Sequence, residues 1–403
     1  MIKKVKWKAN TIKVDKKVDI SFLSKKEIGI VKKFHESFPQ YSRTPLVSLD
    51  NLSKKLGVGG IYIKDESYRF GLNAFKVLGG SFAMSKYLAK RTGKDISELS
   101  FEKLTYEEVR KELGEITFAT TTDGNHGRGV AWTANQLKQK SVVYMPKGSS
   151  QTRLENIRKE GATASILDMN YDDAVRFTAE QAEKYGWVVV QDTAWEGYEE
   201  IPTWIMQGYG TMAYEALEQL QEYGVERPTH IFIQAGVGSL AGAVQGFFAS
   251  VFEDNVPITL IAEADEAACF YKSVVAGDGN PRVVGGDMPT IMAGLACGEP
   301  NVIGWEVLKS YSSVFAACPD WVAASGMRIL GNPLKGDERV ISGESGAVTL
   351  GLLNAILTRE EYSDLRRELK LDENSKILLF STEGDTDPDK YRHIVWDGEY
   401  PSY

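Results

Sequence analysis

The chain has 403 residues, 43% hydrophobic and 25% charged, proportions that exclude a disordered, collagenous or small disulfide-bonded protein. At about 150 residues per domain, this length suits two or three domains. With 47 basic against 55 acidic side chains the formal charge is −8, which repels phosphate backbones and anionic lipids and argues against nucleic-acid and membrane partners.

Residues 1–17 are basic but hold no apolar stretch that would serve as a signal peptide. Beyond them, short β-branched runs alternate with longer amphipathic stretches. Gly60–Lys64 reads as a strand and Asn73–Leu88 as a helix; Thr117–Thr120 reads as a strand, with a helix through Gly129–Leu137 after a glycine-flanked turn. A strand at Ser141–Met145, a helix at Ser150–Lys159, a strand at Ala164–Leu167, a helix at Tyr171–Tyr185 and a strand at Trp187–Gln191 follow. Then come a helix at Trp204–Glu222, strands at His230–Gln234 and Ile258–Glu263, and a last buried strand at Lys376–Phe380. The alternation predicts an α/β fold of mainly parallel twisted sheets flanked by helices. The βαβα series near residues 80–200 is a natural separate lobe, giving a small domain at 81–200 and a large one from 1–80 and 201–403.

Ile231–Phe252 is apolar enough to imitate a membrane span, but glycines at 236, 238, 242 and 246 favour a buried strand, loop and helix. Three cysteines, Cys269, Cys297 and Cys318, are odd in number and lack metal-type spacing. They fit three buried thiols in a reducing cytoplasm, with a conditional Cys269–Cys297 pair as the alternative. The four histidines are scattered, so no metal site is expected.

Four segments carry chemistry. Gln234–Gly242 is a glycine loop between a strand and an apolar helix, suited to phosphate. Glu263, ending the next strand, would also suit a dinucleotide, which leaves a nicotinamide-dependent oxidoreductase open; a tight packing turn is the plain alternative. Lys76 lies in an apolar run at a helix start, where lost hydration lowers an amine's pKa and favours Schiff-base chemistry; a lysine snorkelling to water is the alternative. Ala119–Gly129 packs Thr121, Thr122, Asp123, Asn125 and His126 between a strand and a helix start. Thr121 and Thr122 are candidates for a substrate carboxylate there, beside the simpler role of helix capping by Thr122 or Asp123. Phe380–Asp387 sits at the strand edge where α/β proteins bind ligands, or is an ordinary turn.

Taken in this order, the segments resemble the fold-type II pyridoxal-phosphate enzymes, the family of tryptophan synthase β, threonine synthase and the serine and threonine dehydratases. The resemblance rests on Arg43–Leu46, Asn73–Lys76, Gly124-Asn125-His126, Gln207–Thr211, Gly236–Leu240, Thr290–Gly298, Gly343–Ala347 and Ser381. Phe70–Lys76, Thr121–Trp132, Gln191–Tyr198 and Ser381–Asp387 are similar, more closely, to the diaminopropionate ammonia-lyase subgroup.

The resemblance implies two lobes, pyridoxal 5'-phosphate as cofactor, and a carbon–nitrogen lyase. Its reaction would be α,β-elimination from D- and L-2,3-diaminopropionate, giving pyruvate and ammonia. Lys76 would hold the cofactor covalently, and Gly236, Val237, Gly238, Ser239 and Leu240 would bind its phosphate. Asn125 would bond the ring hydroxyl and Ser381 would meet the pyridine nitrogen. Asp123 and Asp192 would be the bases for the D and L isomers, because the two Cα protons face opposite sides. His126 is expected to be structural, and Glu344 either lies near the ring or caps a helix. A cytoplasmic homodimer acting on a small amino acid is expected. A serine or threonine dehydratase, or a racemase, is the alternative on the same fold.

Overall fold

Ile377, Leu378, Leu379 and Phe380 are consecutive and apolar, so the strand they form must be covered on both faces. In the computed structural model, which describes residues 3–122 and 124–402, all four are buried. The strands are β1 (Lys6–Ala9), β2 (Leu46–Ser48), β3 (Gly60–Asp65), β4 (Thr117–Thr121), β5 (Lys140–Met145), β6 (Thr163–Ile166), β7 (Val188–Val189), β8 (His230–Gln234), β9 (Ile258–Ala264), β10 (Val314–Cys318) and β11 (Lys376–Ser381). Seven form one sheet in the order β1-β10-β9-β8-β11-β3-β2, and four form a second in the order β6-β5-β4-β7. Among the strand pairings of the described residues, the two at the edges, β1 with β10 and β2 with β3, are antiparallel and the rest parallel. The mainly parallel α/β expectation holds.

Several boundaries differ from the sequence expectation, each for a tertiary reason. The helix expected from Asn73 begins only at Val77 and ends at Arg91. Asn73 has φ +59°, and residues 73–76 are tied instead to the exit of β11: the Phe75 amide donates to Thr382 O at 3.0 Å and the Gly384 amide to Asn73 O at 3.1 Å. The helix expected through Gly129 starts four residues earlier and spans Asn125–Gln136. Strand β7 is two residues long, because the Gln191 amide donates to the Tyr198 hydroxyl at 2.8 Å rather than to a neighbouring strand. The helix Glu200–Glu222 starts before Trp204 and carries Pro202 in its first turn, where no intrahelical N–H is lost.

The apolar stretch Ile231–Phe252 divides into β8, a loop and the helix Ser239–Phe252. Among the described residues, no helix is long and apolar enough to cross a membrane. Among the described residues the three cysteines form no disulfide, but Cys297 is only half-buried, which corrects the expectation of three buried thiols.

Under the segment that leads to Lys76 lies a buried charge cluster. Glu215, from the helix Glu200–Glu222, accepts from Lys64 Nζ and Arg69 Nη2, both at 2.7 Å, while Glu66 accepts from Arg69 Nε at 2.8 Å. All four side chains are shielded from water, so two cations balance two anions in a low-dielectric interior. The cluster joins β3, the turn after it and the long helix.

Candidate active site

Strands β4 and β7 of one sheet and β8 and β11 of the other end, at their C-terminal edges, on one cleft, the edge where loops follow parallel strands and ligands bind. Residues 234–240 contribute the loop after β8, Thr122 follows β4, Asp192 follows β7, and Thr382 and Glu383 follow β11. Lys76 enters from the N-terminal end of the helix Val77–Arg91, and Asn125 and His126 open the helix Asn125–Gln136.

Lys76 Nζ hydrogen-bonds Asp192 Oδ2, with the lysine side chain 19% exposed and the aspartate 4%. The apolar run around Lys76 thus opens on a carboxylate partner as well as on hydrophobic neighbours. Burial works against the Asp192 charge, but Lys76, and then His126, hold the carboxyl below its ordinary value. His126 Nε2 bonds Val190 O at 2.7 Å, so this nitrogen carries the proton and the ring is anchored to the chain just before Asp192.

The glycine loop lines the cleft from Gln234 to Leu240. Gly238 has φ +95°, and a Cβ there would stand 2.4 Å from the Phe270 ring. The chain can therefore turn into the helix Ser239–Phe252 only with glycine. The first N–H groups of that helix have no intrahelical acceptor and point their partial positive charge at the cleft. Ser239 Oγ donates to Asp192 O and accepts from Asn301 Nδ2, the latter at 2.7 Å. Its hydroxyl thus ties the cradle to the Asp192 loop and leaves the backbone amides for an anion. A cradle of bare amides, a lysine at its mouth and cleft hydroxyls fit pyridoxal phosphate.

The other expected residues divide. Asn125 lines the cleft, and its Nδ2 donates to Glu383 Oε2. Thr122 lines it too, and its Oγ1 accepts from the Gly124 amide at 2.9 Å. Thr121 is not brought in: its hydroxyl bonds Ala174 O at 3.0 Å and Thr178 Oγ1 at 2.6 Å, under the helix Tyr171–Tyr185. Asp123 lies outside the described residues. Ser381 is fully buried and its Oγ finds no partner among the described residues, but Thr382, one position on, faces the cleft instead. Side chains alternate along a strand, so a shift of one residue changes the face. Glu263 is also withdrawn from ligand duty: its two oxygens accept from the Phe270 and Tyr271 amides at 2.8 and 2.7 Å, capping the helix Cys269–Ala276. The dinucleotide reading loses its ribose acid.

Sequence reasoning gave no role to Thr382, Glu383, Tyr171, Ser345 or Cys297, all of which line the cleft. Thr382 and Glu383 were within reach of it, since they follow Ser381 at the strand edge. Tyr171 left no local signal, whereas Ser345 and Cys297 lie in stretches that share in the family resemblance, Gly343–Ala347 and Thr290–Gly298. Tyr171 and Cys297 also border an adjoining cavity of about 510 Å³ with Arg153 and Lys390 in its wall.

A model of the pyridoxal-phosphate dependent enzymes matches residues 38–382, and the chain belongs to that family. Its cofactor is pyridoxal phosphate. The diaminopropionate ammonia-lyase of Salmonella typhimurium is 55% identical over 366 residues, 91% of each chain, and that of Escherichia coli is 52% identical over 378 residues, 94% of this chain and 93% of the other. The E. coli enzyme's crystal structure in complex with D-serine superposes with a TM-score of 0.92 at 49% identity, covering 99% of this chain and 98% of that one. Its complex with an aminoacrylate-PLP azomethine reaction intermediate gives 0.90 at 48% identity, covering 98% of each. Within the family, the chain is a member of the diaminopropionate ammonia-lyases.

Proposed function

We propose that the protein catalyses α,β-elimination from both isomers of 2,3-diaminopropionate, consuming one water and releasing pyruvate and two ammonia molecules. The observation that carries this reading is the Lys76–Asp192 pair at the mouth of the glycine cradle, two proton-carrying groups beside one cofactor site. Bound pyridoxal phosphate supplies an electron-withdrawing ring that makes the substrate's Cα–H acidic.

The chain's residues do the rest. Lys76 holds the cofactor through its amine, and the amides of Gly236, Val237, Gly238, Ser239 and Leu240 hold the phosphate. Asp192, kept charged by its neighbours, takes the Cα proton from the face presented by the L isomer; Asp123 is assigned the opposite face and the D isomer. Thr122, not Thr121, is the hydroxyl placed for the substrate carboxylate. The pyridine-nitrogen role foreseen for Ser381 passes to Thr382. Its Oγ1 accepts from Gln234 Nε2 at 2.8 Å, which leaves its own hydrogen to donate. Residues 1–80 with 201–403 form the cofactor-anchoring lobe and 81–200 the substrate-side lobe. The assembly is a cytoplasmic homodimer.

The test is pyruvate release by the purified, cofactor-loaded protein from each isomer, with D- and L-serine, L-threonine and a racemase assay run beside it. Rapid release from both diaminopropionates is expected. Faster turnover of serine or threonine, or racemisation without ammonia, would replace this reading with the dehydratase or racemase one. Sedimentation of the purified protein tests the dimer.

A further inference from the structure

Asn125 meets the cleft with a side-chain amide that has two unlike ends, a donor NH2 and an acceptor oxygen, and which end faces the ligand decides what it can bind. In this chain the choice is made by Glu383. Its carboxylate can only accept, and Asn125 Nδ2 donates to Glu383 Oε2, so the NH2 end is fixed on the Glu383 side. An amide nitrogen has two hydrogens. One goes to Glu383 and the second remains for the cleft that both residues line.

The carboxylate is itself held in place. Glu383 is 4% exposed, pairs across an isolated antiparallel bridge with Ala74, two residues before Lys76, and accepts at its carbonyl from the Gly343 amide at 2.9 Å. Its side chain packs on Gly343, where a Cβ would come within 2.9 Å of Glu383 Cγ and 3.2 Å of Oε1. A larger residue at 343 would evict the carboxylate. The next residue, Glu344, opens the helix Glu344–Thr358 and is buried as well. Burial, and then the charge on Glu383, push the Glu344 carboxyl up to about 7, while Arg153 and Lys390 pull the other way. Glu344 therefore holds its proton at higher pH than an ordinary carboxyl does.

We propose that Glu383 is a positioning residue for the cofactor, acting through Asn125: it orients the amide so that an N–H, rather than the carbonyl, addresses bound pyridoxal phosphate. The inference rests on the reading that Asn125 serves the cofactor. It predicts that the effect of Glu383 on cofactor affinity passes entirely through Asn125.

The experiment is a titration of the apoprotein with pyridoxal phosphate, followed by the visible absorption of the bound cofactor, for wild type, E383Q, E383D, N125A and the N125A/E383Q double variant. Thermal unfolding of each apoprotein is recorded in parallel. E383Q can present either end to Asn125 and so loses the orientation; about tenfold weaker cofactor binding and a displaced absorption band are expected, the size of one charge-assisted hydrogen bond. E383D keeps the acceptor-only group and recovers affinity and band. In the N125A background, E383Q costs nothing further. Wild-type affinity and absorption in E383Q would overturn the proposal. So would additive losses in the double variant, or a loss in E383Q that E383D shares and that follows the fall in apoprotein melting temperature. Because no arm measures turnover, a wild-type protein that binds the cofactor but releases no pyruvate would sink the proposed reaction and leave this inference standing.

Discussion

Lys76 and Asp192 form an ion pair, Nζ to Oδ2, between a helix start and the end of a strand 116 residues further along the chain. Burial opposes the Asp192 charge, but Lys76 holds the carboxyl below its ordinary value, so the group that is to accept a substrate proton stands ready ionised beside the amine that is to hold the cofactor. Asp192→Asn keeps the shape and removes the base. Turnover of L-diaminopropionate is expected to fall by about 10²–10⁴-fold, the usual contribution of a general base, with D-isomer turnover falling much less. Equal losses on both isomers in steady-state assays would refute the division between the two aspartates. Lys76→Ala is expected to abolish both activities.

Gly238 is the position where the phosphate cradle tolerates no side chain, by conformation and by contact with Phe270. Gly238→Ala is expected to cost about 1–3 kcal/mol of local strain and to weaken pyridoxal phosphate binding by at least about tenfold. Fluorescence titration of the apoprotein measures the second and urea denaturation the first.

Adjacent hydroxyls at the end of β11 separate cleanly. Thr382→Val removes the donor from the cleft while keeping its volume, and a loss of about tenfold or more in kcat/KM is expected from one hydrogen bond to the cofactor. Ser381→Ala, at a buried side chain outside the cleft lining, is expected to leave kcat/KM within about twofold, since no hydrogen bond to a ligand is lost. Reversed effects in kinetic assays would return the pyridine role to Ser381.

The Lys64–Glu66–Arg69–Glu215 cluster makes a prediction about stability and pH. Glu215→Gln leaves buried positive charge without its partner and is expected to cost about 3–5 kcal/mol in urea unfolding. Burial opposes the Glu215 charge, yet Arg69 and Lys64 outweigh it and hold the carboxyl well below its ordinary value. The folded chain therefore binds fewer protons at this site than the unfolded chain does. The stabilisation is complete above the ordinary carboxylate range and is lost as the pH falls through that range towards the depressed value. The wild-type unfolding midpoint should drop between about pH 5 and pH 3, and the Glu215→Gln variant should lose this part of the slope.

Much of the molecule was legible in the chain. The buried runs at β8 and β11 declared a parallel sheet, because a strand covered on both faces must be apolar at nearly every position. The helix Tyr171–Tyr185 was read to the residue, since local periodicity and the Asn170 cap suffice for it. The glycine loop, Lys76 and Asn125 were likewise singled out from residue type and place, Asp192 through the family resemblance, and the structure gathers them into one cleft.

What local pattern could not supply was which way a side chain points and what meets it from far along the chain. A shift of one residue at the end of β11 exchanges Ser381 for Thr382, and a strand's two faces are distinguished only by what packs on them. Asn73–Lys76 looks helical on its own, but backbone hydrogen bonds from the β11 exit hold it open. Thr121 and Glu263 carry ligand-binding groups by composition, yet the helix Tyr171–Tyr185 consumes the first and the Phe270 and Tyr271 amides just along the chain consume the second. Residue chemistry thus determined the fold class and the inventory of reactive groups. Hydrogen-bond competition between segments that folding brings together decided which of those groups face the cleft, because a buried donor or acceptor must be satisfied by whatever the folded chain brings to it.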